Sequence, residues 1–419
     1  MMTNSADILR DTDRCVKCGL CLPHCPTYQI NRNEGDSPRG RITLMQGLMQ
    51  GALKDDATVR RHLEGCLGCR ACETVCPSGV PFGDLMDATR RVLIPPPQPS
   101  GAIRGYLLSH SGARRVASGS LRLARGMGLG WLAGHLGNAQ RPGMARNATF
   151  LADVTPPPRW PRTPSPVTAT RGTVSLFTGC TAETFDGPTL EAAVQVLTRL
   201  GYEVVVPQGQ VCCGAMDHHA GGVKDAAALA RRNQAAFAGH EGPILSLNSG
   251  CRVHLHGAGG DGLGARVTGL CRLLADLDLT PLQLVDTPLK VAFHTPCTLR
   301  HGLGEADFMV ALLQRLPGVT DVALPDNAFC CGGAGSRMLT DPRMADQLLA
   351  PKLEALEALA PDVLVTANVG CGLHLAAGIR RRGLTVPVLN PARLMATRLG
   401  PAAAIGPSSG HHPPQSPVR

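Results

Sequence analysis

The stretch CVKCGLCLPHCP, residues 15–26, sets four cysteines at the spacing C-x2-C-x2-C-x3-C and closes them with proline. The same spacing returns fifty-one positions later as CLGCRACETVCP, residues 66–77, so whatever the first run does is done twice. Structural zinc sites also use paired cysteines, but they join two separate C-x2-4-C knuckles around one tetrahedron. Three thiolates at steps of three, with a fourth ahead of a proline, match instead the run that wraps a 4Fe-4S cube, where the fourth cysteine reaches across to the neighbouring cube. The pattern predicts one cluster on Cys15, Cys18, Cys21 and Cys76 and a second on Cys66, Cys69, Cys72 and Cys25, with zinc as the alternative occupant. Pro26 and Pro77 turn the chain away after the fourth ligand, and Gly19 and Gly68 let backbone amides approach the sulfides, which tunes the potential. Two linked clusters without a substrate pocket of their own read as an electron wire. Between the runs, SPRGRITLMQGLM, residues 37–49, reads as a turn entering a helix that spaces them for crossing. Its Arg39 and Arg41 have three readings: screening of cluster charge, contact with a partner, or plain helix surface.

Working outward, residues 1–95 hold eight of the seventeen cysteines and end in IPPPQPSG, residues 94–101, a proline cluster that cannot continue a helix. A mainly α-helical, ferredoxin-type domain is expected there. Residues 96–166 follow as a basic helical segment and a proline-rich linker. From Ile103 to Leu136 this segment carries Arg104, Arg114, Arg115, Arg122 and Arg125 with no acidic side chain. Docking helices with a solvated face, or a surface for a membrane or an acidic partner, are the two readings.

The second half contains an internal repeat. TVSLFTGC, YEVVVP, VCCGAMD and PILSLNSGC in the first copy answer to LKVAFHTPC, VTDVALP, FCCGGAG and PDVLVTANVGC in the second, with helical periods between them. Cys180 aligns with Cys297, Cys212 and Cys213 with Cys330 and Cys331, and Cys251 with Cys371, at offsets of 117, 118 and 120. Short β-branched runs alternating with helices predict two α/β units with mainly parallel sheets, at residues 167–286 and 287–400. Such sheets place ligands at the carboxyl ends of their strands, where Cys180, Cys251, Cys297 and Cys371 fall. Each foursome is a candidate metal centre: adjacent cysteines seldom share one zinc ion, whereas a multi-iron cluster offers separated metal atoms. A further iron-sulfur cluster in at least one repeat, with zinc or no metal in the other, is expected. Cys271, in an apolar helical stripe, reads as core, and residues 401–419, without an apolar period, as disordered.

Composition narrows the function further. Seventeen cysteines in a 419-residue chain with no visible signal segment or membrane span point to a cytoplasmic protein using metal or redox chemistry rather than disulfides. A net charge of +9 with only 3% aromatic residues and no recognition motif gives no support to nucleic-acid binding. GAGGDG, residues 257–262, satisfies G-x-G-x-x-G on paper, but without a strand before it or an acidic residue at a later strand end it reads as a loop. The chain is therefore expected to pass electrons without binding the flavin that extracts them.

From about residue 10 to 400 the chain resembles the iron-sulfur subunit of bacterial glycolate oxidase, through CVKCGLCLPHCPTYQ, GDSPRGRI, CLGCRACETVCPSGV, CCGAMDHH, AFHTPCTLRH, CCGGAGSRMLTDP and VTANVGCGLHLA in order. Iron-sulfur subunits of lactate and glycerol-3-phosphate oxidation, and heterodisulfide reductase, share the two-part plan more distantly. The resemblance implies a complex with FAD-binding oxidase subunits that oxidise glycolate to glyoxylate. Electrons would leave through this chain, itself inactive on glycolate, to a quinone or another acceptor at the inner face of the cytoplasmic membrane. Heterodisulfide reductase ends its repeats in C-x2-C and cradles non-cubane clusters with five thiolates; here each ends in C-x2-H, as Cys251 with His254 and Cys371 with His374. Four cysteines and one imidazole suffice for a cluster, for zinc, or for a quinone pocket with a proton-accepting histidine. His218, His219, His294 and His301 lie near these motifs and read as packing histidines. A thiol-disulfide catalyst and a zinc-stabilised scaffold are the competing classes.

Overall fold

The computed structural model describes residues 5–93, 107, 110–127, 150, 153–158, 171–258 and 262–400. Arg104, most of the proline-rich linker, residues 259–261 of the glycine-rich stretch and the tail from 401 lie outside the described residues.

The described N-terminal residues are helical: Ser5–Thr12, Pro26–Asn31, Pro38–Met49, Ala57–Glu64, Ala71–Thr74 and Phe82–Val92. Local chemistry starts these helices where the sequence puts them. Ser37 accepts from the Gly40 amide with Pro38 in the first turn, and Asp56 accepts from the amides of Thr58 and Val59. Ile8, Ile42, Met45, Leu63, Phe82 and Leu85 close a small core around which the cysteine runs are laid. Its Cys25 and Cys72 are buried, while Cys18 is exposed.

Each repeat is a four-stranded sheet in which every neighbouring pair is parallel. In the first, β1 (Thr173–Phe177), β2 (Glu203–Val205), β3 (Ile244–Ser246) and β4 (Val267–Thr268) lie in the order β2-β1-β3-β4. In the second, β5 (Leu289–His294), β6 (Val319–Ala323), β7 (Val363–Thr366) and β8 (Val388–Leu389) repeat that order as β6-β5-β7-β8. Successive strand residues face opposite sides. Val174 and Leu176 of β1 therefore join Val291 and Phe293 of β5 in one core shared by the two repeats. Phe177 and Ala292 enter separate cores on the far faces. Burial on both faces is what a parallel sheet requires, and it explains the near-continuous apolar strands. The repeats also cross-brace: the closing helix Pro391–Thr397 packs on Gly187–Arg199 of the first repeat. Asn390, which caps that closing helix, donates to the Leu247 carbonyl at 3.2 Å. Arg252, nearly buried, forms an ion pair with Glu305 at 2.6 Å across the same boundary.

The N-terminal domain rests on both repeats. Pro26–Asn31 packs against Pro342–Leu359, Ala71–Thr74 against the π-turn Thr298–Gly302, and Phe82–Val92 against Ala215–His219.

Candidate metal centres

Residues of positive φ bend the two cysteine runs into tight loops: Lys17 (55°) and Gly19 (87°) in the first, Gly68 (64°) and Arg70 (58°) in the second. Such turns aim successive amides into the loop, and the Gly68 amide donates to Cys66 Sγ at 3.4 Å. Two cavities result. One is lined by Cys25, Cys66, Cys69 and Cys72, with Arg41, Arg90, Asp87 and His219 on its walls. The other is lined by Cys15, Cys18, Cys21 and Cys76, and Cys72 reaches its wall as well. The first cavity thus gathers three cysteines from one run and one from the other, and the second three from one run and two from the other. Burial pushes the Cys69 and Cys72 thiols well above their ordinary range, with Cys297 adding to the first and Cys69 to the second. Thiols so placed ionise readily only beside a positive metal centre. The all-sulfur donor set and the amide-lined loops fit iron-sulfur clusters.

Arg41 is cavity wall rather than helix surface. It is 1% exposed. Its Nε donates to the His62 carbonyl at 2.7 Å and its Nη1 to Thr27 Oγ1 at 3.1 Å, a hydroxyl that also lies 3.3 Å from Cys25 Sγ. Nη2 makes no hydrogen bond and has Asp36 Oδ1 at 3.7 Å. Arg39 instead binds Glu34 at 2.7 Å and the Lys17 carbonyl at 3.1 Å, bracing the first loop.

In the repeats the structure brings each cysteine foursome together. Cys180 and Cys251 sit at or near the starts of helices that follow β1 and β3; Cys297 and Cys371 follow β5 and β7 in the same way. Cys180 Sγ donates to Cys212 Sγ at 3.4 Å, and hydrogen bonds continue to Cys213 and on to Cys251. The second repeat runs Cys297, Cys330, Cys331, Cys371. These contacts raise the Cys180 and Cys297 thiols well above their ordinary range, with burial adding to the effect. The Cys-Cys-Gly turn needs its glycine. Gly214 and Gly332 have φ of 92° and 91°, and a Cβ on Gly332 would lie 2.6 Å from the Ala345 carbonyl oxygen. The sulfurs form a row of contacts, and among the described residues no three His, Cys, Asp or Glu side chains surround a point suited to a single metal ion.

The two C-x2-H histidines part company. His254 Nε2 is buried without a hydrogen bond, its ring 5.0 Å from that of His218, and burial with help from His218 and His219 pushes its pKa down to about 3. His374 points its Nε2 at the Ala345 carbonyl, 3.2 Å away. Of the histidines read as packing residues, His294 is buried within the second repeat, whereas His218, His219 and His301 are joints. His219 Nδ1 lies 2.9 Å and His218 Nε2 3.4 Å from the Asp87 carboxylate of the N-terminal domain, and His301 Nδ1 lies 3.3 Å from Thr74 Oγ1. Burial raises the Asp87 carboxyl, but the hydrogen bonds from His218 and His219 outweigh it and hold the group far below the usual carboxylate range. Asp87 was invisible in the sequence, where it sits in an ordinary amphipathic helix with no motif around it. Cys271 is core as expected, its thiol pushed up to about 12 by burial.

Of the basic segment, Ser111–Gly126 is a helix. Three of its arginines turn inward: Arg114 pairs with Glu183 at 3.0 Å, Arg122 donates to the Thr155 carbonyl and Arg125 to the Val154 carbonyl. The docking reading describes them better than an anionic surface does, while the exposed Arg115 has Glu183 only at 3.9 Å. GAGGDG begins inside the helix Ser249–Ala258, which is the wrong side of a dinucleotide fingerprint. Among the described residues no helix is long and apolar enough to cross a membrane.

Comparison with known proteins agrees with this layout. The 4Fe-4S dicluster domain family matches residues 11–80, and the cysteine-rich domain family matches twice, at 174–256 and 291–376. The glycolate oxidase iron-sulfur subunit of Escherichia coli (strain K12) is 35% identical over 392 residues, which is 87% of this chain and 90% of that protein. A probable glycolate oxidase iron-sulfur subunit of Bacillus subtilis (strain 168) is 31% identical over 88% of this chain and 90% of its own length. Lactate utilization protein A of Bacillus licheniformis is 29% identical over 54% of this chain and 99% of its own. With two crossed cysteine cavities followed by two cysteine-rich α/β repeats, and with relatives this similar along nearly its whole length, the chain belongs to the family of glycolate oxidase iron-sulfur subunits.

Proposed function

We propose that this chain is the electron-transfer subunit of a flavin-linked glycolate dehydrogenase. In this reading one 4Fe-4S cluster is held by Cys15, Cys18, Cys21 and Cys76 and the other by Cys66, Cys69, Cys72 and Cys25. The observation that carries it is the crossing of the two runs, each cavity taking its fourth cysteine from the other run, with Cys72 on the wall of both. Bound there, the clusters supply one-electron carriers; the chain's own contribution is to hold them adjacent and to surround one of them with Arg41 and Arg90. Electrons come from a partner FAD-binding subunit that oxidises glycolate and leave toward a quinone or another membrane-side acceptor. The names of the Escherichia coli and Bacillus subtilis relatives support glycolate as the substrate of the complex, and that of the Bacillus licheniformis relative supports lactate as the next choice. Domains at 1–95, 167–286 and 287–400 fit the same reading.

The test is Cys25→Ser in the full chain, purified anaerobically and reduced. Serine is a poorer iron ligand than thiolate, so the signal of the cluster on Cys66, Cys69 and Cys72 should be lost or converted while its neighbour persists. Loss confined to the cluster adjacent in sequence would overturn the crossed assignment. Stoichiometric FAD in the pure chain, or glycolate turnover by it alone, would overturn the role.

A further inference from the structure

The two repeats share a frame but not the floor beneath their sulfurs. Phe177 ends β1 and His294 ends β5, and the ladders show them equivalent: Phe177 pairs with Ser246 as His294 pairs with Thr366. Phe177 packs on Phe237 with ring centroids 6.2 Å apart. His294 is fully buried, its Nδ1 3.0 Å from Thr366 Oγ1 and its Nε2 without a hydrogen bond. A second exchange lies on the helix behind each Cys-Cys-Gly turn. Ala226 lies under Gly214 and Ala345 under Gly332, and that register sets Asn233 opposite Lys352. Asn233 is spent on backbone, accepting from the Val211 amide at 2.8 Å and donating to the Cys212 carbonyl at 3.0 Å. Lys352 is 2% exposed; its Nζ donates to the Asp326 carbonyl at 3.2 Å, and among the described residues no carboxylate lies within ion-pair distance of it.

A buried ammonium held by a single carbonyl is costly unless an anion faces it. The second sulfur row lies on the same side of the sheet: Leu349, Leu353 and Leu356 of the helix that carries Lys352 share one buried core with Cys331 and Cys371, and burial lowers the Lys352 pKa while Cys331, Cys330, Cys371 and Asp326 oppose that shift. Neutral thiols leave the charge uncompensated. Thiolates on a net-negative iron-sulfur centre compensate it. The same sulfur row lies beside the N-terminal cysteines: the helix Ala71–Thr74, which carries Cys72, packs on the turn Thr298–Gly302 directly after Cys297, His301 Nδ1 lies 3.3 Å from Thr74 Oγ1, and Cys297 adds to the raising of the Cys69 thiol. On the first repeat's side that cavity meets His219 and Asp87 instead of sulfur.

We propose that Lys352 is the counter-charge of an anionic iron-sulfur centre on Cys297, Cys330, Cys331 and Cys371, and that this second repeat exchanges electrons with the cluster on Cys25, Cys66, Cys69 and Cys72. The proposal rests on the reading that the repeat cysteines hold metal. One electron passes at a time, oxidising the N-terminal cluster by one and reducing the second-repeat centre by one, with no bond made or broken. The electron comes from the partner's reduced flavin, or from dithionite in the test. A fixed positive charge favours the reduced, more negative state, so Lys352 raises the centre's potential.

The experiment is iron and sulfide analysis with a dithionite titration followed by electron paramagnetic resonance, on the anaerobically purified full chain. The parent should carry iron beyond the roughly eight atoms of two 4Fe-4S clusters. Lys352→Met should lose that additional iron, or keep it with a more negative midpoint potential, while the two N-terminal signals persist as the control for folding. Lys352→Arg should retain the parent behaviour, and Lys352→Gln repeats the test if the Met variant fails to fold. Cys330→Ser with Cys331→Ser should remove the additional iron; Cys212→Ser with Cys213→Ser should not. Additional iron that follows Cys212 and Cys213, or Lys352→Met with unchanged iron and unchanged potential, overturns the proposal alone. A parent with only the eight irons and no other metal overturns the metal reading of the repeats and the proposal with it.

Discussion

The two repeats have the same strand order, the same parallel register and the same Cys-Cys-Gly turn, yet they grip the N-terminal domain by different chemistry. The first offers His218 and His219 to the Asp87 carboxylate. The second offers His301 to Thr74 and Arg337 to the Glu64 carbonyl at 2.6 Å. What stays constant between them is what the backbone demands: a glycine with positive φ, a cysteine at a strand end, an amide side chain tying the turn. Gln210 accepts from the Thr178 amide at 2.9 Å just as Asn327 accepts from Thr295 at 2.7 Å. What differs are side chains that meet another domain or sit under the sulfurs. The scaffold is therefore duplicated while the surroundings of each site are specialised.

The strongest way to break this comparison is at the turn both repeats share. A Cβ at Gly332 meets the Ala345 carbonyl oxygen at 2.6 Å and Leu348 Cβ at 3.1 Å, whereas at Gly214 the nearest atom, Ala226 Cα, is 3.2 Å away. Both sites also carry positive φ. Gly332→Ala should cost about 4 kcal/mol and Gly214→Ala about 2 kcal/mol, from backbone strain plus overpacking. Chemical denaturation measures both, and equal costs would mean that the second turn is no tighter than the first.

Asp87→Asn probes the grip of the first repeat. It should lower stability by about 2 kcal/mol at pH 7, less than a fully buried pair because His219 is half exposed. The sign with pH follows from the depressed carboxyl. Its contribution is complete above the unfolded pKa near 4 and is lost as pH falls through the lower folded value. The gap between parent and variant in urea titrations should thus hold from pH 7 down to about 4 and narrow below it. A gap that already closes between pH 7 and 5 would show that the depressed Asp87 carboxylate does not set the joint.

The smallest effect belongs to the polar joint with the second repeat. Thr74→Val removes the partner of His301 at an exposed contact and should cost only about 0.5 kcal/mol. Loss of 2 kcal/mol or more would make this joint as strong as that at Asp87 and erase the contrast.

Much of this molecule was legible in its one-dimensional pattern. Cysteine spacing is a local property, and a loop that wraps a cube needs its thiolates at fixed steps, so the gathering of both cysteine runs around two shared cavities was to be expected from residues 15–77. The repeat and its parallel sheets were readable too, because strand ends and Cys-Cys-Gly turns recur at a nearly constant offset and buried strands must be apolar. Tertiary structure decided the rest. Arg41 was open to three readings, and only the packing of the helix Pro38–Met49 makes it a cavity wall. Asp87 and Thr74 acquire a role only because the N-terminal domain lies across both repeats, contacts separated by more than a hundred residues. Lys352 sits in a helix whose sequence gives no sign of burial, since a long basic side chain is ordinarily solvated; only the fold shows it buried, on a helix that packs with Cys331 and Cys371. Local spacing encodes the ligands because ligand geometry is short-ranged, whereas the charges that surround them come from distant segments and are set by how domains pack.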